Sequence, residues 1–127
     1  MPVSPDGVSI VVPAFQEAFA IHDVVRQLAA EFQKIIVVDD GSTDATSAEA
    51  RRAGATVLQH LHNRGQGAAL QTGIEYCLRR GAEVIVTFDA DGQHRPEDVV
   101  RLIDALEKEE ADIAIGSRFL DLRSQPH

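Results

Sequence analysis

The chain has 127 residues, 44% of them hydrophobic and 25% charged, with a formal net charge of −8, values that suit one soluble globular domain. The acidic balance excludes broad nucleic-acid binding, which rests on basic patches, and a lone cysteine, Cys77, excludes a disulfide within the chain. The opening MPVSPDGVS lacks the basic start and long apolar core of a signal peptide, and no apolar run approaches the roughly 20 residues of a membrane span, so a cytoplasmic protein is expected.

Five short, β-branched apolar runs alternate with helical patterns. The first, VSIVVP at 8–13, is apolar nearly throughout, as a strand buried on both faces should be. Ile21, Val24, Val25, Leu28, Ala29 and Phe32 then recur at helical spacing. KIIVVD at 34–39 is the second strand. A weaker Ala-rich helix is expected over 43–53, begun by the cap candidates Ser42, Thr43 and Asp44 and stopped at Gly54. ATVLQH at 55–60 is the third strand, and Leu70, Ile74, Cys77 and Leu78 mark a helix that Gly81 should end. EVIVTF at 83–88 is the fourth strand. Pro96 fits the first turn of a helix carrying Val99, Leu102, Ile103 and Leu106, and DIAIGS at 112–117 is the fifth strand. The tail FLDLRSQPH shows no period.

This alternation predicts an α/β fold of three layers, α/β/α, with a mostly parallel sheet and right-handed crossovers. Ligands of such sheets bind beyond the carboxyl ends of the strands, where strand order reverses, and polar residues cluster at those ends. The first run leads into Pro13, Phe15, Gln16 and Glu17, the second ends in Asp39 and Asp40, and the fourth in DADGQH. Asp89 and Asp91, one residue apart, repel each other unless a cation lies between them. A hard cation such as Mg²⁺ accepts two such oxygens and completes its shell with phosphate and water. Gln93 adds a neutral oxygen. The plain alternative is a turn, where Asp is common. Of Asp39 and Asp40, one is expected to face a ligand, accepting from a base or sugar, with Ser42, Thr43 and Asp44 structural. Glu17 reads equally as a ribose contact or a helix-start acid. Arg64, Gly65 and Gly67 allow close approach to a phosphate without forming a P-loop or a dinucleotide fingerprint. Arg118 reads as a surface ion pair or as a fork onto phosphate. The five histidines show no ligand spacing, and His94 is expected to be a loop residue.

Taken together, VSIVVPAFQE, IIVVDDGSTDAT, NRGQGAALQTGI, VTFDADGQHRPED and DIAIGSRF resemble the family 2 glycosyltransferases that act on nucleotide-diphospho-sugars with a GT-A fold, over residues 8–119. DADGQHRPE followed by IGSRF is similar to the branch of dolichyl-phosphate mannosyltransferases and polyprenyl-phosphate glycosyltransferases. The resemblance implies a Rossmann-like, GT-A nucleotide-sugar domain over 1–127. It also implies transfer with inversion from a GDP- or UDP-sugar to a polyprenyl phosphate, and a role in envelope polysaccharide or glycolipid synthesis at the inner face of the membrane. It implies that Pro13, Phe15, Glu17, Val38, Asp40, Asp89, Ala90 and Asp91 contact the nucleotide-sugar. Asp89, Asp91 and Gln93 would hold Mg²⁺ or Mn²⁺, with Asp89 and Asp91 catalytic through the metal, and Arg118 would hold the acceptor phosphate. The family's usual Asn is Gln16 here, and a frequent lysine of the glycine loop is Gln66, for which Arg64 would substitute. Members of the family continue well past the GSR stretch into acceptor-site strands that this chain lacks. Two other readings predict different behaviour: an inactive nucleotide-sugar-binding module, and a receiver-like signalling domain. The receiver reading expects paired acids where Pro13 stands and a lysine where Arg118 stands. A sheet edge left bare by absent strands would favour a homo-oligomer.

Overall fold

The computed structural model describes residues 7–89 and the backbone of 113–115 and 118–120. The chain runs β1 (Val8–Ala14), α1 (Ile21–Ala29), β2 (Lys34–Asp39), α2 (Thr46–Ala53), β3 (Thr56–Gln59), α3 (Gln66–Arg79), β4 (Val84–Thr87), β5 (Ile113–Ile115) and β6 (Arg118–Leu120). The sheet order is β3-β2-β1-β4-β5-β6. All neighbours are parallel except β5 and β6, which pair antiparallel with Ile115 opposite Arg118.

Period two along β1 assigns its two faces. Val8, Ile10, Val12 and Ala14 pack with Ile21, Val25 and Leu28 of α1 and with Ala50 and Ala53 of α2. Val11 packs on the other face with Val38, Ala69, Cys77 and Ile85 under α3. The described residues therefore form three layers, with α1 and α2 on one side of the sheet and α3 on the other. β1 is central and buried along its whole length, which is why its sequence does not alternate. α3 lies close over the sheet because residue 73 is glycine. A Cβ there would collide with Val11 Cγ1 and stand 3.1 Å from Val38 Cγ2.

Four expected strands and three expected helices stand where the periodicity placed them, with ends shifted by a few residues. α2 starts at Thr46 and has no side-chain cap from its N-cap residue, Ala45. It stops at Gly54, which takes a left-handed conformation with φ +108°. The fifth strand, expected over 112–117, is described over Ile113–Ile115, and the sheet has a sixth strand drawn from a tail with no period. Three residues are too few to show a period, and a short antiparallel edge strand is specified by its neighbour. The helix expected around 99–106 lies outside the described residues.

Candidate active-site cleft

Where β1 runs past β4, the sheet opens. The last ladder pair is Val11 with Thr87, followed by a bond from Phe88 N to Val11 O at 2.9 Å. Residues two apart on a strand face the same neighbour, so the position of Pro13 faces the β4 side after that ladder has ended. Its missing N–H leaves no bond unmade there. On the other side β1 stays attached to β2, with Asp40 N donating to Ala14 O at 2.9 Å.

The opening is a cleft of about 390 Å³ lined by Pro13, Ala14, Phe15, Glu17, Asp40, Asp89, the β3–α3 loop and the start of α3. It lies at the carboxyl ends of β1, β2 and β4. β1 is the strand from which connections depart in both directions, so this is the topological switch point of the sheet.

Asp40 is 4% exposed yet reaches this cleft. Its Oδ1 accepts from Arg64 N at 2.8 Å and meets His60 Nδ1 at 2.8 Å, while Oδ2 accepts from Gly65 N at 2.8 Å. Burial pushes this carboxyl up. The Arg64 amide, His60 and the Gly65 amide outweigh it, and the net pKa lies below the ordinary carboxylate value. The group is therefore a fixed anion and an acceptor only. Asp39, 2% exposed, turns toward α2 instead, accepting from Ser42 N at 2.9 Å and Ser47 Oγ at 2.5 Å.

The β2–α2 loop straps the β1–α1 loop. Gln16 N donates to Ser42 Oγ at 2.8 Å, Glu17 N to Thr46 Oγ1 at 2.9 Å, and Thr43 N to Gln16 Oε1 at 2.6 Å. Asp44 accepts from Thr46 N at 3.0 Å, from the Thr46 hydroxyl and from Ala18 N. The Thr46 hydroxyl holds the Asp44 carboxyl below its ordinary value, against the opposing effect of burial. Gln16 has φ +55°, a region in which Asn is several-fold favoured over other non-glycine residues. That is a physical reason for an asparagine to be usual at this place, and Gln16 offsets the cost with its bonds to Thr43.

The β3–α3 loop and the first turn of α3 also line the cleft. Asn63, Gly65, Gln66 and Ala69 line the cleft, and Gln66 Nε2 lies 3.3 Å from Asp89 Oδ1. Gly41, at φ +78°, lets this loop approach the end of β2; a Cβ there would lie 2.6 Å from both Asn63 N and the His62 carbonyl carbon. Among the described residues no group of three or more His, Cys, Asp or Glu side chains forms a metal cluster. Asp89 is the member of the expected metal set that falls within them.

Residues 9–125 match the family model described as glycosyl transferase family 2. The chain belongs to that family. It is 45% identical to an uncharacterized protein of Methanocaldococcus jannaschii, over 94% of this chain and 49% of the relative. It is 38% identical to the polyprenol monophosphomannose synthase of Mycolicibacterium smegmatis, over 87% of this chain and 44% of the relative. A UDP-N-acetylglucosamine–dolichyl-phosphate N-acetylglucosaminyltransferase of Methanococcus voltae is 32% identical, over 87% of this chain and 51% of the relative. Among solved structures, glucosyl-3-phosphoglycerate synthase of Mycobacterium tuberculosis in complex with Mn²⁺, UDP-glucose and phosphoglyceric acid superposes with a TM-score of 0.66. It is 27% identical and covers 78% of this chain and 38% of that one. The fold is thus the GT-A type of α/β domain, and the chain spans about half the length of the curated relatives it matches.

Within this family 2 domain the structure brings together five of the residues expected to contact nucleotide-sugar: Pro13, Phe15, Glu17, Asp40 and Asp89. Val38 is placed otherwise. Its side chain is fully buried against Val11 and α3, because inward-facing residues of a central strand belong to the core. Ala90, Asp91, Gln93 and His94 lie outside the described residues. Arg118, read as the end of the fifth strand, begins the backbone of the antiparallel strand β6. Arg64 gives its amide to Asp40 while its side chain is exposed, and the cleft position in that loop is held by Gln66. His60 was missed altogether. Its ring joins Asp40 to Thr72 Oγ1, with Nε2 at 2.8 Å from the hydroxyl. Only its place after an apolar strand run, one turn from a glycine loop, could have flagged it. The receiver-like reading is set aside: the order β3-β2-β1-β4 is the other doubly wound arrangement from the 2-1-3-4-5 order of flavodoxin-like folds. Among the described residues no helix is long and apolar enough to cross a membrane.

Proposed function

We propose that the chain is the donor-binding part of a glycosyltransferase that moves a sugar, with inversion, from a nucleotide-diphospho-sugar to a polyprenyl phosphate at the membrane surface. The observation that carries this is the cleft at the switch point, lined together by Asp40, Asp89 and the first turn of α3. A buried acceptor suits the N–H or O–H donors of a base or ribose. The start of a 14-residue helix favours the negative diphosphate. Names among the relatives support the acceptor: a polyprenol monophosphomannose synthase, a dolichyl-phosphate transferase and an undecaprenyl-phosphate mannosyltransferase.

The chemistry of the donor set fits a hard divalent cation. Asp89 stands at the cleft, and Asp91 and Gln93 follow within four residues of it in sequence; these oxygens would hold Mg²⁺ or Mn²⁺. When bound, the ion supplies charge neutralisation for the departing diphosphate. The solved synthase with Mg²⁺ and UDP supports this. A polyprenyl phosphate oxygen is already anionic, so the acceptor requires positioning and no general base, and Arg118 is the candidate cation for that.

Calorimetric titration with GDP- and UDP-sugars in Mg²⁺ or Mn²⁺ tests the reading. Metal-dependent binding that Asp91→Ala removes is expected; no binding with any donor, or binding indifferent to Asp91→Ala, refutes it. A second reading is a module that binds donor without transferring it. Donor binding with no radiolabelled sugar passed to any polyprenyl phosphate would establish that one.

A further inference from the structure

One acid of the cleft, Asp40, is held by protein donors on both oxygens, and one of those donors is a buried ring behind the cleft, His60. Asp40 presents about four lone-pair sites as a carboxylate. His60 and the Arg64 amide occupy both sites of Oδ1, and the Gly65 amide occupies one of Oδ2. Among the described residues no donor takes the second site of Oδ2, and Asp40 lines the cleft. Because a carboxylate only accepts, Nδ1 of His60 must carry a proton, while Nε2 shares a hydrogen bond with the Thr72 hydroxyl, which can serve as donor or acceptor. The His60 and Asp40 side chains are 6% and 5% exposed. His60 also donates its backbone N–H to Asp39 O at 2.9 Å. One imidazole thus ties the end of β2, the end of β3 and α3 together, and it does so without lining the cleft.

We propose that His60 is a positioning residue of the donor site: it sets the rotation of the Asp40 carboxylate, so that one Oδ2 lone pair meets the ligand while the other three sites hold the β3–α3 loop. The ligand part of this inference rests on the donor-binding reading above; the loop part does not. A carboxylate's χ2 torsion is broad on its own, and a third donor narrows it. The Asp40 oxygens, the Gly41 close approach and the Asn63–Gln66 wall then form one rigid unit.

Two variants separate positioning from bulk packing. The side-chain amide of His60→Asn places a donor where Nδ1 stands and keeps the bond to Asp40. His60→Gln places its amide nearer Nε2, toward Thr72, and loses it. In the presence of Mg²⁺ or Mn²⁺, His60→Asn is expected to bind UDP or GDP within a few-fold of the unaltered chain. His60→Gln is expected to weaken binding about tenfold, the effect of one lost bond to a charged acceptor. Amide exchange by NMR at Arg64 and Gly65 should quicken in His60→Gln and stay slow in His60→Asn. Equal affinities and equal exchange in the two variants would overturn the proposal. Should the unaltered chain bind no nucleotide, the donor reading fails, and the exchange comparison still decides the role of His60. Should the variants not fold, the ring proton decides: long-range ¹⁵N–¹H spectra of the unaltered chain should show His60 protonated at Nδ1, and a ring without a proton on Nδ1 would refute the arrangement.

Discussion

Replacing Gly41 by alanine, with Gly81→Ala as its control, measures how tightly the cleft wall is built. The two glycines have nearly the same φ, +78° and +79°. Each alanine therefore incurs the same left-handed cost, about 1–2 kcal/mol, and the same gain from a stiffer unfolded chain. Their surroundings differ. A Cβ at Gly81 has nothing within 4 Å, whereas at Gly41 it lies 2.6 Å from Asn63 N and the His62 carbonyl carbon. Those atoms are backbone, and they cannot retreat freely because the next two amides, of Arg64 and Gly65, are bonded to Asp40. Overpacking of this kind costs typically 1–3 kcal/mol, so Gly41→Ala should lose about that much more stability than Gly81→Ala. Urea unfolding followed by circular dichroism, compared at constant m-value, gives the difference directly. The same substitution displaces the wall carrying Asn63, Gly65 and Gln66, so nucleotide binding should weaken in Gly41→Ala and hold in Gly81→Ala. Equal stability losses in the two variants would show that the loop is not pressed against β2, and would refute the reasoning.

Gly73→Ala gains about 1 kcal/mol of helix propensity but drives a methyl into Val11 Cγ1; the clash should win, leaving a net loss of up to about 2 kcal/mol. A double-mutant cycle with Val11→Ala should show positive coupling, and purely additive losses would count against the contact. Asp40 and Asp44 have carboxyl groups below the ordinary range in the folded chain. Groups depressed by folding stabilise above the unfolded pKa, about 3.9, and lose that contribution as pH falls through the folded value. Stability should therefore drop below about pH 4, and less steeply in Asp40→Asn; an unchanged acid limb in that variant would discount the clamp. Arg118→Ala should leave donor titrations unaltered and abolish sugar transfer to polyprenyl phosphate, whereas weakened donor binding would place Arg118 elsewhere.

Much of the architecture is legible without coordinates. Alternating apolar runs and helical periods report which residues must be buried, and burial is a local property of the pattern. Strand-end acids at Asp40 and Asp89 were legible as cleft residues because the chemistry of open α/β sheets gathers at those ends. Ser42, Thr43 and Asp44 were read as cap residues, and they are structural, yet their partners stand 26 to 27 residues away on the β1–α1 loop as well as nearby.

What only tertiary structure decided is the pairing of polar groups across loops. A carboxylate at position 40 looks the same in sequence whether it meets solvent, a ligand or two amides 24 and 25 residues later. Hydrogen bonds are directional and close-ranged, so their partners depend on where the sheet order sets each loop. The same holds for His60, for the glycine that lets α3 settle on Val11, and for β6, whose three residues carry no period and take their strand from the edge beside them. Periodicity reads the apolar side of each element, because a face is written in consecutive residues; the described polar site is written across four separate segments, and folding alone brings them to one cleft.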